Sequence, residues 1–250
     1  YLHGPKHRME VGDHQIQGID VVSTLAGLKG VNSNTLNARR DIGRDGVSFN
    51  EQANTNSQAK LHNQFARDAA GFVLKYYKND YNPISQSSQH TSFEANDDEM
   101  VEKFDYKELY SGQITASSTA IRNLDQSASE FLSPDVQYHT YKYDNAYNFI
   151  EQVVYKTNSV IQNNSWDGAA FEGPSKEQSS YYVNVAYDLN KNIKRLKRNR
   201  QSNGTSGSEK MDNFHYKYHY KNSGTTTDPN YELQSNRLYH VHDEVTNPNH

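Results

Sequence analysis

Cysteine is absent from the 250 residues, which excludes disulfides and thiolate metal centres. That absence fits a cytosolic and an envelope protein equally. Tryptophan occurs once and methionine three times, against 19 tyrosines. The apolar area is therefore carried largely by phenols, which suit a barrel wall or an interface better than a dense aliphatic core. Hydrophobic residues make up 34% of the chain and the mean hydropathy is −1.01, both low for a single thick core. Six prolines are few for the loops of a jelly roll or an immunoglobulin-like sandwich. No apolar run reaches the ~20 residues of a spanning helix, and no signal peptide opens the chain. A transmembrane barrel is untouched by the first of these absences, because its strands are only ~10 residues long and alternate. The net charge of −4 and pI near 6.3 give no global bias towards nucleic acid or anionic membrane. The chain also lacks His-Glu-x-x-His, Gly-x-Ser-x-Gly and a phosphate loop, so no enzyme class is indicated.

What is present is alternation, most clearly from Ser180 to Lys221. Tyr181, Val183, Val185, Tyr187 and Leu189 fall on one parity, with Asn184 and Asp188 on the other, which predicts a half-buried strand. Asn190-Lys191-Asn192 supplies a tight turn, since Asn tolerates left-handed backbone. Phe214, Tyr216, Tyr218 and Tyr220 alternate with His215, Lys217, His219 and Lys221. Four aromatics opposite four cationic or titratable groups suggest a sheet with an apolar outside and a wet, charged inside.

Elsewhere the pattern is patchier. Ser23 to Gly30 reads as a small-residue strand entering a turn, followed by Arg39, Arg40 and Arg44. Phe72, Leu74 and Tyr76 share a face opposite Val73 and Lys75, and Pro83 ends that strand. Residues 85–120 read as one long loop with the acidic cluster Glu94, Asp97, Asp98 and Glu99; loops of that length are usually functional or disordered. Val136 to Tyr143 alternate, Asp144-Asn145 make a turn, and 146–161 fit helix or strand equally. The 250 residues allow one all-β domain or two smaller ones. In Ile193–Arg200 alternation fails, and cations fall on both faces. The sequons at Asn163 and Asn203 are expected by chance in so polar a chain.

Four segments, in order, resemble the general porins of Gram-negative outer membranes: Gly27-Leu28-Lys29-Gly30, then Ala69 through Ile84, then Arg122-Asn123 with Ser133-Pro134 and Gln137-Tyr138, and finally Tyr181 through Asn192. The resemblance implies an all-β fold: a single antiparallel transmembrane β-barrel over residues 1–250, with 85–120 folded inward as the pore-constricting loop. At roughly 20 residues per strand and connection, the length corresponds to about 12 strands. Glu94, Asp97, Asp98, Glu99, Asp105 and Glu108 would then supply the acidic side of the constriction, and Arg39, Arg40, Arg44, Lys75 and Arg122 the basic wall. Charged rings of this kind bias which ions pass. The resemblance further implies a homotrimer in the outer membrane, touching membrane lipid and lipopolysaccharide, that passes ions and small hydrophilic solutes with no cofactor, no metal and no nucleic acid. Two other classes compete. One is a soluble β-rich glycan-binding module displaying Tyr, Asn and Asp. The other is a single-stranded nucleic-acid binder using Lys191–Arg200, six cations in ten residues beside aromatic strands. His240 and His242 alternate like metal ligands but lack a third partner in the sequence.

Overall fold

Segments of period two extend and pair with their neighbours in sequence. The structure, a computed structural model, describes residues 7–11, 15–22, 27–36, 68–81, 100, 108–122, 135–157, 159–163, 165–201, 210–220 and 233–245. The strands are β1 (His7–Val11), β2 (Gln15–Val22), β3 (Gly27–Val31), β4 (Ala70–Lys75), β5 (Ala116–Ile121), β6 (Asp135–Tyr143), β7 (Phe149–Lys156), β8 (Val183–Tyr187), β9 (Ile193–Asn199), β10 (Lys210–Tyr220) and β11 (Leu233–Asp243). A five-residue helix, α1 (Ser159–Asn163), and a 3-10 turn (Lys176–Gln178) complete the described elements. The eleven strands form one sheet in the order β1 to β11, with antiparallel pairing. The all-β antiparallel expectation therefore holds. Among the described residues no pairing joins β1 to β11, so the closed barrel is not seen. The stretch 85–120 is not one loop either, because Ala116 to Ala120 belong to β5. The ambiguous 146–161 is mainly the strand β7, since its pairing partners outweigh the helical spacing of Tyr147, Ile150 and Val154.

Contacts group the chain into two units, residues 1–140 with 155–170 and residues 141–154 with 171–250; the division falls within β6 and β7. In the first unit, Val73, Lys75, Ala116, Ala120, Val136 and Tyr138 are each at most 6% exposed, whereas Phe72 and Leu74 are half-buried. Tyr76, on the parity of Phe72 and Leu74, is 6% exposed just past the end of β4. The turn at 32–36 packs on the Val73 and Lys75 side of β4 at Gly71 and binds Ser118 through Asn34 Nδ2 (2.8 Å). Gly27-Leu28-Lys29-Gly30 lies within β3, so the turn follows it instead of occupying it. Lys29 is an extra residue there, because Asp20 faces Gly30 and Val21 faces Leu28. Its ammonium reaches Asp80 at 2.8 Å with both side chains fully buried.

In the second unit two hairpin turns repeat one solution. Asp144 Oδ1 accepts from the backbone N–H groups of Ala146 and Asn148, and Asp188 Oδ1 from those of Asn190 and Asn192. In each turn the closing Asn also donates its side-chain amide to the Asp. The left-handed residues are Tyr147 (φ 61°) and Lys191 (φ 65°), so the turn at 190–192 is where the sequence placed it but its strained position is Lys191, not an Asn. These bonds, led by the Asn148 side chain, hold the Asp144 carboxyl below its ordinary range. A lowered folded value means that the turn's contribution is present above the ordinary carboxylate range and is lost as pH falls through the folded value. We expect the 144–148 hairpin to loosen on acidification, seen as faster amide exchange at Asn148, and Asp144→Asn to be loose at neutral pH with no further acid response. An acid-induced loosening that persists unchanged in Asp144→Asn would contradict this.

Candidate functional site

Register makes the sheet of the second unit two-faced. Glu151, Asn184, Lys197 and Asn213 stand opposite one another across β7 to β10, and Ala186, Arg195, His215 and His242 do so across β8 to β11. Opposed residues share a side of the sheet and successive residues alternate, so these two rows lie on one face. The row between them, Val185, Leu196, Phe214 and Asp243, lies on the other. Phe214 and Tyr216 meet edge to face at 6.3 Å on that second face, and Tyr216 faces Val241. The apparent failure of alternation in β9 has a simple cause. Ala186 faces Arg195 and Tyr187 faces Ile193, so Lys194 is a bulge residue that returns Ile193 to the face of Leu196. Arg198 does remain on the apolar face, near the strand end, where Asp212 Oδ2 pairs with it at 2.6 Å.

The polar face is buried around Glu151 and Asn213 and open along the row of Ala186, Arg195 and His242, while the other face is buried at Val185 and Asp212 and open at Val241. Glu151, Tyr182, Asn199 and Asn213 are 8%, 3%, 4% and 4% exposed, whereas Val241 and Leu238 opposite them are 39% and 47%. Residues 171–182 cover the polar side and are fastened to it. Lys197 Nζ donates to Glu177 O (2.8 Å), and Asn199 Nδ2 donates to Glu177 O (3.1 Å) and Ser179 O (2.9 Å). Glu151 is the centre of this arrangement. Lys176 Nζ lies 2.8 Å from its carboxylate, Tyr182 Oη donates at 3.2 Å, and Lys142 Nζ stands 3.9 Å away. A buried carboxylate needs such partners, because an isolated charge out of water is strongly unfavourable. Burial and the adjacent Glu151 charge push the Tyr182 phenol well above its usual range, so it donates and does not ionise. Hydrogen bonding to its own backbone and the nearby Lys176 and Lys197 charges hold the exposed Glu177 carboxyl low.

Eight of the eleven residues expected to line a pore, Glu94, Asp97, Asp98, Glu99, Asp105, Arg39, Arg40 and Arg44, lie outside the described residues. The other three have local roles. Glu108 accepts from the Lys78 backbone N–H. The Arg122 guanidinium donates to Asp68 O (3.2 Å) and Leu36 O (3.4 Å), clamping the 32–36 turn against the start of β4. Lys75 is 5% exposed on the covered face of β4. The Glu151 cluster was missed from sequence. Its signal was a lone acid inside Phe149-Ile150-Glu151-Gln152-Val153-Val154, where burial demands a cationic partner.

Among the described residues no group of three or more His, Asp or Glu side chains converges as a metal site. His240 and His242 stack at 6.2 Å between ring centroids. Of the six cations in Lys191–Arg200, Arg195 binds Asn213 Oδ1, Lys197 binds Glu177 O and Arg198 binds Asp212, which commits at least half of that stretch to partners within the chain. No known family matches this sequence, and no curated protein is significantly similar to it.

Proposed function

We propose that this chain is a β-barrel channel of the Gram-negative outer membrane, of the porin type, whose sheet closes edge to edge in the bilayer and passes ions and small hydrophilic solutes by passive diffusion. The observation that carries the reading is the two-faced sheet of the second unit: carboxylate, phenol and amide groups around Glu151 are covered on one face, while on the other Val185 is buried, Leu196, Phe214 and Tyr216 are half-buried and Val241 is exposed. In water the open side chains Val241 and Leu238 forfeit a part of the roughly 1.5–3 kcal/mol that full burial of each would contribute. In a bilayer the two-faced arrangement is the favourable one, because lipid faces the apolar side and water the polar side. Strand order supports the same reading, since consecutive antiparallel neighbours are what an up-and-down barrel requires. Closure would also remove the two sheet edges, whose unpaired backbone groups cannot face hydrocarbon. Arg198 fits if it sits near the interface, where a lipid-side cation costs about 0–1 kcal/mol, and its pairing with Asp212 reduces that further. The homotrimer and the lipopolysaccharide contact belong to this proposal as what the porin resemblance implies.

The test is reconstitution. The chain should require detergent, migrate as a heat-modifiable band and give stepwise conductance in planar bilayers. A monodisperse, detergent-free protein that never conducts would end the channel reading.

A further inference from the structure

We infer that the loop end of the β10–β11 hairpin is a binding site for a small carboxylate carried on a ring, gripped by Arg237 and laid against Tyr239. The inference does not rest on the channel reading, since it concerns one hairpin of the second unit in any folded form of the chain. The site follows from a mismatch of length between the two strands. The pairing is regular from Phe214 with Asp243 to Lys217 with His240. Beyond that point β10 advances from Lys217 to Tyr220 while β11 runs from His240 to Leu233, so Gln234, Asn236, Arg237 and Tyr239 are surplus to the register. Surplus residues bend the strand that carries them and re-aim their side chains. A cavity of about 490 Å³ opens there, lined by His219, Ser235, Arg237, Leu238 and Tyr239. The bend is tied down on both sides. Asn192 Nδ2 donates to Asn236 Oδ1 (2.9 Å), and on β10 Tyr218 Oη donates to Ile193 O (3.0 Å).

The volume lies in the lower part of the roughly 300–1,000 Å³ span of small-molecule sites. Arg237 is the group that chooses the ligand. Arg122, Arg195 and Arg198 are each bonded to acceptors within the chain, whereas the Arg237 guanidinium has no such partner among the described residues. Asp188, the acid of the neighbouring turn, is occupied by that turn's own amides. Asp243 and Glu244 lie at the far end of β11. An uncommitted guanidinium presents a planar fork that matches a carboxylate in bidentate fashion. The Ser235 hydroxyl accepts from the Arg237 backbone N–H (3.4 Å) and keeps its own proton to donate. Tyr239 is 79% exposed and Leu238 47%, and burying such a ring and its alkyl neighbour is favourable. A bare carboxylate would leave both in water; a carboxylate on a ring covers them. Two sources share this chemistry, a uronic acid and an aromatic acid.

The experiment is isothermal titration of the full chain, in the buffer or detergent that keeps it folded, with glucuronate and benzoate as probes and glucose and benzamide as their uncharged counterparts. Folding of each variant is checked by its far-ultraviolet β-sheet spectrum. At least one carboxylate should bind, at a single site per chain, and its uncharged counterpart should not; which carboxylate binds identifies the source. Arg237→Gln should weaken that probe by roughly tenfold or more, the loss of a charge-assisted contact. Arg237→Lys should recover only part of the affinity, because it keeps the charge and loses the fork. Tyr239→Ser should weaken binding while Tyr239→Phe retains it. Lys194→Gln, which removes a cation at the bulge of β9 outside the cavity, should bind like the wild type. The inference is overturned if neither carboxylate binds the folded wild type, if the uncharged counterpart binds equally, or if folded Arg237→Gln keeps wild-type affinity. None of these outcomes depends on whether the chain conducts.

Discussion

Replacing Lys29 with Met is expected to destabilise the first unit by about 3–5 kcal/mol, the range for removing one member of a buried ion pair. The pair is extreme in its burial, since both side chains are at zero exposure and the N–O distance is 2.8 Å. Nothing solvates the Asp80 carboxylate once the ammonium is gone, apart from the Tyr76 amide that donates to Asp80 Oδ2 at 2.8 Å. The methionine fills the stem's volume, so the loss isolates charge from packing. The same amide limits the complementary experiment. Lys29→Met with Asp80→Leu removes both charges, and an uncharged pair of similar volume is often neutral or better. Here it also orphans the Tyr76 N–H, which costs about 1–3 kcal/mol. The double variant should therefore recover part, not all, of the stability lost by Lys29→Met. The sole tryptophan makes this measurable: Trp166 is 1% exposed and packs on Tyr138 at 5.0 Å within the same unit. Denaturant unfolding followed by its fluorescence reports this unit. If Lys29→Met unfolds at the wild-type midpoint, the pair contributes nothing and its burial has been misjudged.

The second large effect is expected at Gly71. A Cβ there would stand 2.3 Å from Ser33 O and 3.1 Å from Leu36 Cδ2. The first of these is a backbone atom, so no rotamer change relieves the clash. Gly71→Ala must push the 32–36 turn off the strand, and two bonds go with it, Asn32 Nδ2 to Ala70 O (3.0 Å) and Asn34 Nδ2 to Ser118 Oγ (2.8 Å). Overpacking accounts for about 1–3 kcal/mol, and each lost hydrogen bond adds about 1 kcal/mol. The turn already contains two left-handed non-glycine residues, Asn32 (φ 57°) and Leu36 (φ 52°), which leaves little freedom to absorb the shift. The Trp166 signal should show a clearly lowered midpoint. Ala69→Ser, one position before β4, serves as the control that should leave the midpoint unchanged. Equal midpoints for Gly71→Ala and wild type would mean that the turn does not bear on the strand.

Alternation was legible because it is local: successive side chains of an extended backbone point to opposite sides whatever surrounds them. That is why β6 (Asp135–Tyr143), β8 (Val183–Tyr187) and β10 (Lys210–Tyr220) lie where the pattern of residues put them. The turn at Asp188–Asn192 was legible for the same reason, since its bonds join residues at most four apart. The sequence by itself therefore determined the strands with clean alternation, β4 (Ala70–Lys75), β6, β8 and β10, and the tight turn at 190–192, but not β5, read as loop, or β7, read as helix or strand. Tertiary structure alone decided which side of each strand is covered, because covering comes from elsewhere in the chain. Val73 and Lys75 are buried, on the side of β4 where the 32–36 turn packs at Gly71, while Phe72 and Leu74 are half-buried. The strap at 171–182 buries Glu151 instead of leaving it in solvent. A single bulge at Lys194, invisible until β8 and β9 are paired, puts β9 back in phase. The Lys29–Asp80 pair joins residues 51 apart, and no spacing rule connects them. Their union follows from desolvation, which makes two buried charges of opposite sign tolerable only together.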